Sequence, residues 1–131
     1  MNQESADYVK YRLSRAKDSL GEAKLLFDNN YLIGAINRTY YACFYAVSML
    51  LFTEGISSSK HSGVISMFDK HWIKTSRLPV EMGKLYRSLF ELRQEGDYKD
   101  VASFDPEEVG DLLNQAVAFV DRISAALKFD K

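Results

Sequence analysis

The sequence predicts an all-α fold, an antiparallel up-and-down bundle of five helices formed by residues 1–131 as one domain. Three observations carry that reading. Apolar residues recur at alternating three- and four-residue spacing through most of the chain, and no window shows the strict alternation of a half-buried strand. Boundary residues (Asp28-Asn29-Asn30, Glu54-Gly55, Ser57-Ser58-Ser59, Pro79 and Asp105-Pro106) divide the periodic stretches into five segments. The connections between them are short, which favours antiparallel neighbours.

The first helix is expected from about Ser5 to Asp28, with Ala6, Val9, Leu13, Ala16, Leu20, Ala23 and Phe27 as its buried seam. Asp28-Asn29-Asn30 ends it, because these side chains offer local hydrogen bonds in place of the helical ladder. The second, about Tyr31 to Thr53, is apolar on nearly all sides and therefore reads as the central helix, surrounded by partners. Gly55 can take the left-handed conformation that closes it. Serines 57–59 offer N-caps for a third helix over about Lys60 to Lys74, carrying Val64, Ile65, Phe68 and Trp72. Pro79 suits the first turn of a fourth, about Pro79 to Gly96, with Met82, Leu85, Leu89 and Leu92 as its seam. Asp105-Pro106-Glu107-Glu108 combines an N-cap, a proline at the first helical position and acids in the first turn. The seam of the fifth helix then runs from Val109 to Leu127.

With 131 residues, 47% apolar and 27% charged, the chain has the makeup of an ordinary globular domain. A length of this kind buries roughly two-thirds of its unfolded surface, enough for one core. Cys43 is the one cysteine, so neither an internal disulfide nor a cysteine-based zinc site can form, and a reducing compartment fits. The polar first ten residues do not resemble a signal peptide. The longest apolar stretch, Leu32 to Phe52, is interrupted by Asn37, Arg38 and Ser48, which argues against a membrane span. A cytoplasmic location is expected. The net charge is −1, but residues 1–90 hold 12 Lys/Arg against 8 Asp/Glu while residues 91–131 hold 5 against 10. That imbalance suits either solvated helix faces or a local basic groove.

Familiar catalytic signatures are missing: no glycine-rich phosphate loop, no His-Glu-x-x-His pair and no nucleophile elbow. No metal site and no cofactor are expected. Three polar clusters interrupt apolar helix faces instead, and buried polar groups must be satisfied. Asn37-Arg38 precedes Tyr40-Tyr41 in the most apolar helix, where Arg38 requires a carboxylate, carbonyls or a bound phosphate. Lys60-His61 falls at the start of the third helix, where free N–H groups favour an anion and keep an imidazole neutral. His61 there is either a capping residue or a proton donor and acceptor. Arg93 and Asp97 lie four residues apart at the end of the fourth helix, followed by Tyr98. An exposed ion pair at that spacing is worth only about 0.2–0.5 kcal/mol.

Asn37-Arg38-x-Tyr40-Tyr41-x-x-Phe44, then Lys60-His61-x-Gly63, then Leu92-Arg93-x-x-x-Asp97-Tyr98 resembles the pattern of HEPN domains. The similarity is to the stand-alone prokaryotic branch encoded beside minimal nucleotidyltransferases, and it extends over nearly the whole chain. It implies a helical bundle that dimerises, and in many members a metal-independent RNase. The family's catalytic signature is an Arg followed, after four to six intervening residues, by a His, with a polar residue on an earlier helix. By resemblance Arg93 takes the place of the signature Arg and Asn37 that of the polar partner.

The signature histidine is not matched, since residues 98–100 are Tyr, Lys and Asp. A tyrosine with a reference pKa near 10 is a poor acid–base group at neutral pH. Two functions follow. One is a nucleotide- or RNA-phosphate-binding protein, weakly or not catalytic, acting with a minimal nucleotidyltransferase in a toxin–antitoxin pair. Asn37, Arg38, Tyr41, Lys60, Asp97 and Tyr98 would then form the binding set. The other is an RNase toxin in which His61 or Tyr98 works with Arg93 in place of the absent His. The resemblance also makes Tyr98 the candidate for modification by the partner. A homodimer is expected from the aromatic surface of Tyr40, Tyr41, Tyr45, Tyr86 and Phe90.

Overall fold

A computed structural model describes residues 1–98 and 104–127, the side chains of Asp97 and Tyr98 excepted. Among these residues there are five α-helices and no strand. Helix α1 spans Gln3–Asp28 and begins two residues earlier than the apolar seam suggests, because the Asn2 side chain accepts the Ser5 N–H at 2.7 Å. Its end follows the expected chemistry. The Asn29 amide donates to the Leu25 carbonyl at 2.8 Å, and Asn30 takes the left-handed conformation at φ 64°. The chain reverses within three residues into α2, Leu32–Phe52, so that α1 and α2 pack as an antiparallel hairpin.

Helix α2 contacts α1, α3, α4 and α5, and this is why its sequence is apolar on so many sides. Ala35, Ala42, Cys43, Ala46 and Val47 are fully enclosed. The small residues among them let neighbouring helices approach closely. Burial pushes the Cys43 thiol far above its ordinary range, which makes it a small hydrophobe rather than a reactive group. Gly55, at φ 72°, closes α2.

The third segment departs from expectation in two ways. The helix α3 occupies His61–Phe68 only, and the chain then widens into a π-helical turn over Asp69–Ile73 before leaving the helical path. That turn sets Trp72 into the core with its indole N–H on a Glu54 carboxylate oxygen at 2.9 Å, an anchor that helical periodicity does not reveal. Nor do the serines cap the helix. Lys60 holds the N-cap position without a side-chain bond, while the Ser58 hydroxyl pairs with the Lys60 backbone N–H and carbonyl at 3.3 Å each. Helix α4, Val80–Tyr98, crosses the π turn at Gly83, where a Cβ would come within 3.1 Å of Asp69 and 3.2 Å of Ile73. An ion pair between Asp69 and Arg87 closes the same crossing.

Helix α5, Pro106–Ala126, starts at the Asp105 cap, whose side chain accepts the Glu107 N–H at 3.3 Å. It lays Val109, Leu113, Ala116, Phe119, Val120 and Ile123 into the core, and Leu127 beyond its end is also buried. No helix among the described residues is long and apolar enough to cross a membrane.

Candidate functional site

The start of α3, the middle of α2 and the end of α4 meet around one imidazole. His61 is the first residue of α3, and its Nδ1 lies 2.7 Å from the Tyr40 hydroxyl and 3.2 Å from an Arg93 guanidinium nitrogen. Its ring stacks on Phe44 at 4.4 Å between centroids and runs nearly parallel to Tyr40 at 5.7 Å. Tyr40 and Phe44 are four residues apart on α2 and so share one face of it. Arg93 extends from α4 across that face, with its guanidinium carbon 5.2 Å from the Tyr40 ring centre and 5.4 Å from that of Tyr41.

Donor and acceptor chemistry fixes the protonation state of this group. A guanidinium N–H can only donate, so Nδ1 must present its lone pair to Arg93, and the neutral ring then carries its proton on Nε2. Tyr40, wholly buried, keeps its proton and can donate to the same lone pair, because burial pushes its hydroxyl up to about 12. His61 is held below its ordinary value of 6.5, first by burial and then by the Arg93 charge. Its place in the first turn of α3 acts in the same direction. The site therefore presents an N–H donor beside a fixed positive charge, an arrangement suited to a phosphate oxygen.

Other candidate residues surround this centre unequally. Arg38 finds its partner in Glu22 of α1 at 3.3 Å, and its guanidinium lies 5.1 Å from the centre of the Tyr41 ring. Tyr41 thus has a guanidinium from α2 and another from α4 within cation–π range, so the structure brings Arg38, Tyr41, Arg93 and His61 together. Asn37 is half-buried one residue before Arg38 on α2. Lys60 is exposed at the entry to α3, next to His61. Asp97 and Tyr98 follow Arg93 by one turn, but their side chains lie outside the described residues. Among those residues no cluster of His, Cys, Asp or Glu could hold a metal ion.

The aromatic surface is smaller than the sequence suggests. Tyr40 and Tyr86 are fully enclosed, stacked 5.9 Å apart, with Phe68 and Phe119 against Tyr86. Only Tyr41, Tyr45 and Phe90 of the five remain partly exposed. The sequence offers all five, three on α2 and two on α4, as aromatic surface, but which of them a neighbouring helix covers is decided by packing.

Sequence reasoning also missed three functional neighbours: the Tyr40 hydroxyl on His61, Phe44 as its stacking partner, and Glu22 as the carboxylate for Arg38. The four-residue spacing of Tyr40 and Phe44 was a usable signal. Glu22, 16 positions from Arg38 and on another helix, left none.

Comparison with known proteins agrees with this architecture. The family model described as "HEPN domain" matches residues 9–126. A "UPF0332 protein" of Thermotoga maritima is 42% identical over 125 residues, covering 95% of each chain. "Putative toxin MJ0605" of Methanocaldococcus jannaschii is 31% identical over 98% of this chain and 95% of its own, and "Putative toxin MJ0142" of the same organism is 34% identical over 84% and 75%. With its helices in this order and a family match over nearly its whole length, the chain belongs to the HEPN family.

Proposed function

We propose that this protein is a toxin-type HEPN protein that binds RNA or nucleotide phosphate at the His61–Arg93 centre. In this reading it is weakly catalytic or non-catalytic alone and acts in the cytoplasm with a minimal nucleotidyltransferase. The observation that carries the reading is the double engagement of His61 Nδ1 by Tyr40 and Arg93. That engagement leaves a neutral Nε2–H, a good hydrogen-bond donor and a very weak acid, so the imidazole can hold a phosphate more readily than it can move a proton. Arg93 and Arg38 supply the charge, Asn37 and Lys60 further donors, and Tyr41 a face for a base. Two relatives that carry the name "Putative toxin" support the toxin assignment. With this function we propose, from the family resemblance, the nucleotidyltransferase partner, homodimerisation and Tyr98 as the site of partner modification.

A second reading is favoured by one feature of the same contact. The Tyr40 oxygen can accept as well as donate, so the ring can move its proton to Nδ1 and expose a basic Nε2 once Arg93 turns to a phosphate. His61 would then take the ribose 2′-OH proton while the 2′-oxygen attacks phosphorus and the phosphorus–5′-oxygen bond breaks, the 5′-oxygen taking a proton from water to leave as an alcohol beside a 2′,3′-cyclic phosphate. The two readings separate in RNA cleavage and binding assays on wild type, Arg93→Ala and His61→Ala. Little cleavage, with binding that weakens in Arg93→Ala and falls as salt rises, is the expected result. Robust cleavage lost in His61→Ala establishes the RNase instead, since a general acid–base group contributes about 10²–10⁴-fold.

A further inference from the structure

Beyond the phosphate centre, a cavity of about 200 Å³ lies between α1, α2 and the segment leading into α3. Phe44 connects the two: it stacks on His61 and also lines the cavity. The remaining wall is mostly apolar, from Met49, Ile56 and Val64, with Tyr8 and Phe52 partly exposed and packed edge to face at 5.1 Å. Four polar residues, Arg12, Ser48, Ser57 and Ser58, interrupt it. Arg12 Nε and Ser48 Oγ are both shut off from solvent with no hydrogen-bond partner. Buried polar atoms left this way cost free energy, and a ligand that bonds them recovers it.

A second observation gives the cavity a direction. Tyr41, Tyr45 and Ser48 follow one another along α2 at helical spacing, and the rings of Tyr41 and Tyr45 are 5.9 Å apart. Arginines accompany this ridge throughout. Arg38 and Arg93 lie over Tyr41, and Arg12 lies over Tyr45 at 4.9 Å. Guanidinium groups set beside aromatic faces are how sequence-tolerant proteins follow a single strand, cations tracking the backbone and rings stacking bases. Apolar walls with a few convergent polar groups suit a planar heteroaromatic ring in particular.

We propose that the Arg12–Ser48 cavity is a nucleobase subsite for single-stranded RNA whose neighbouring phosphate sits at His61 and Arg93. The proposal deepens the phosphate-binding reading and rests on it. The strand runs along α2, and Arg12 and Ser48 bond the edge of the base while Phe44 and Val64 cover its faces. Neither residue touches the phosphate centre, so the two halves of the site can be damaged separately.

The test measures binding of a short single-stranded oligoribonucleotide and of an abasic ribose-phosphate strand of equal length, by fluorescence anisotropy. Wild type should prefer the base-bearing strand. Ser48→Met, which fills the cavity, should lower that preference about tenfold while leaving the abasic strand bound as before. If Ser48→Met melts below wild type, Arg12→Met serves instead, with the preference ratio as the readout because loss of its charge weakens both strands. Arg93→Ala should weaken both strands and keep the ratio. An unchanged ratio in Ser48→Met and Arg12→Met, with Arg93→Ala still weakening both, overturns the subsite and leaves the phosphate reading intact. Equal binding by Arg93→Ala and wild type overturns the phosphate reading instead. A duplex bound as tightly as the single strand also overturns the proposal, since a paired base cannot enter the cavity.

Discussion

His61 acquires its character from two neighbours distant in sequence, Tyr40 and Arg93, and each can be removed by itself. Arg93→Ala removes both a charge that opposes protonation and a donor that requires the neutral ring, so the His61 pKa should rise toward its ordinary value of 6.5. Tyr40→Phe keeps the stacked ring and loses one donor, and should raise it by less. An NMR titration of the imidazole, with His61→Gln identifying its signal, checks both. The same shift links to stability with a definite sign. A group whose pKa is lowered by folding resists protonation in the folded state but not in the unfolded one. Its contribution is complete above 6.5 and is lost as pH falls from there through the lowered value. Thermal melts of wild type should therefore decline on acidification below that point, and His61→Gln should flatten this part of the curve. A parallel decline in the variant would show that other groups dominate.

The position of α3 depends on a close approach rather than on an ordinary cap. A Cβ at Gly63 would run into the Ser58 hydroxyl, which is itself held by the Lys60 backbone. Gly63→Ala must displace the Ser58 side chain and break its bonds to the Lys60 backbone, which loosens the entry of α3 where His61 sits. Overpacking of this kind costs about 1–3 kcal/mol, to be read from denaturant unfolding, and RNA binding should weaken beyond what the lost stability explains. The start of α5 behaves in the ordinary way. Asp105→Ala removes one cap bond and should cost about 0.5–2 kcal/mol, with RNA binding at unfolding-free temperatures unaffected. The contrast between the two variants separates elements that position the site from elements that only hold the bundle.

At the scale of the whole molecule, Tyr41, Tyr45 and Phe90 remain partly exposed next to the centre, while Tyr40 and Tyr86 have gone into the core. A homodimer is the expected state through this reduced surface and the elements around it. Sedimentation at tens of micromolar would give a dimer, and a monomer there would refute it. Salt belongs to the same scale. Binding that depends on Arg38 and Arg93 should lose affinity linearly in the logarithms of affinity and salt concentration, and a variant of either arginine should reduce that slope by roughly one phosphate's share.

The helices themselves were legible in the sequence because amphipathic periodicity and boundary chemistry are local. Asn29-Asn30 ending α1, Gly55 closing α2 and Asp105-Pro106 opening α5 each act within a few residues. Arg93 and His61 could be singled out as chemistry-bearing residues, and the family resemblance gave Asn37 as the polar partner of Arg93. What periodicity could not show was anything set by contact between elements. Helix α3 gives way to a π turn because Trp72 must reach Glu54, and Gly63 is required because Ser58 folds back over it. Tyr40 is enclosed because α4 covers it, and its hydroxyl reaches His61 across 21 positions of sequence. Helix formation is a short-range free-energy preference written residue by residue, whereas an imidazole's tautomer and basicity depend on which donors and charges tertiary packing brings within a few ångströms. The sequence alone determined the helices and the chemistry available to them; tertiary structure decided that His61 meets Arg93.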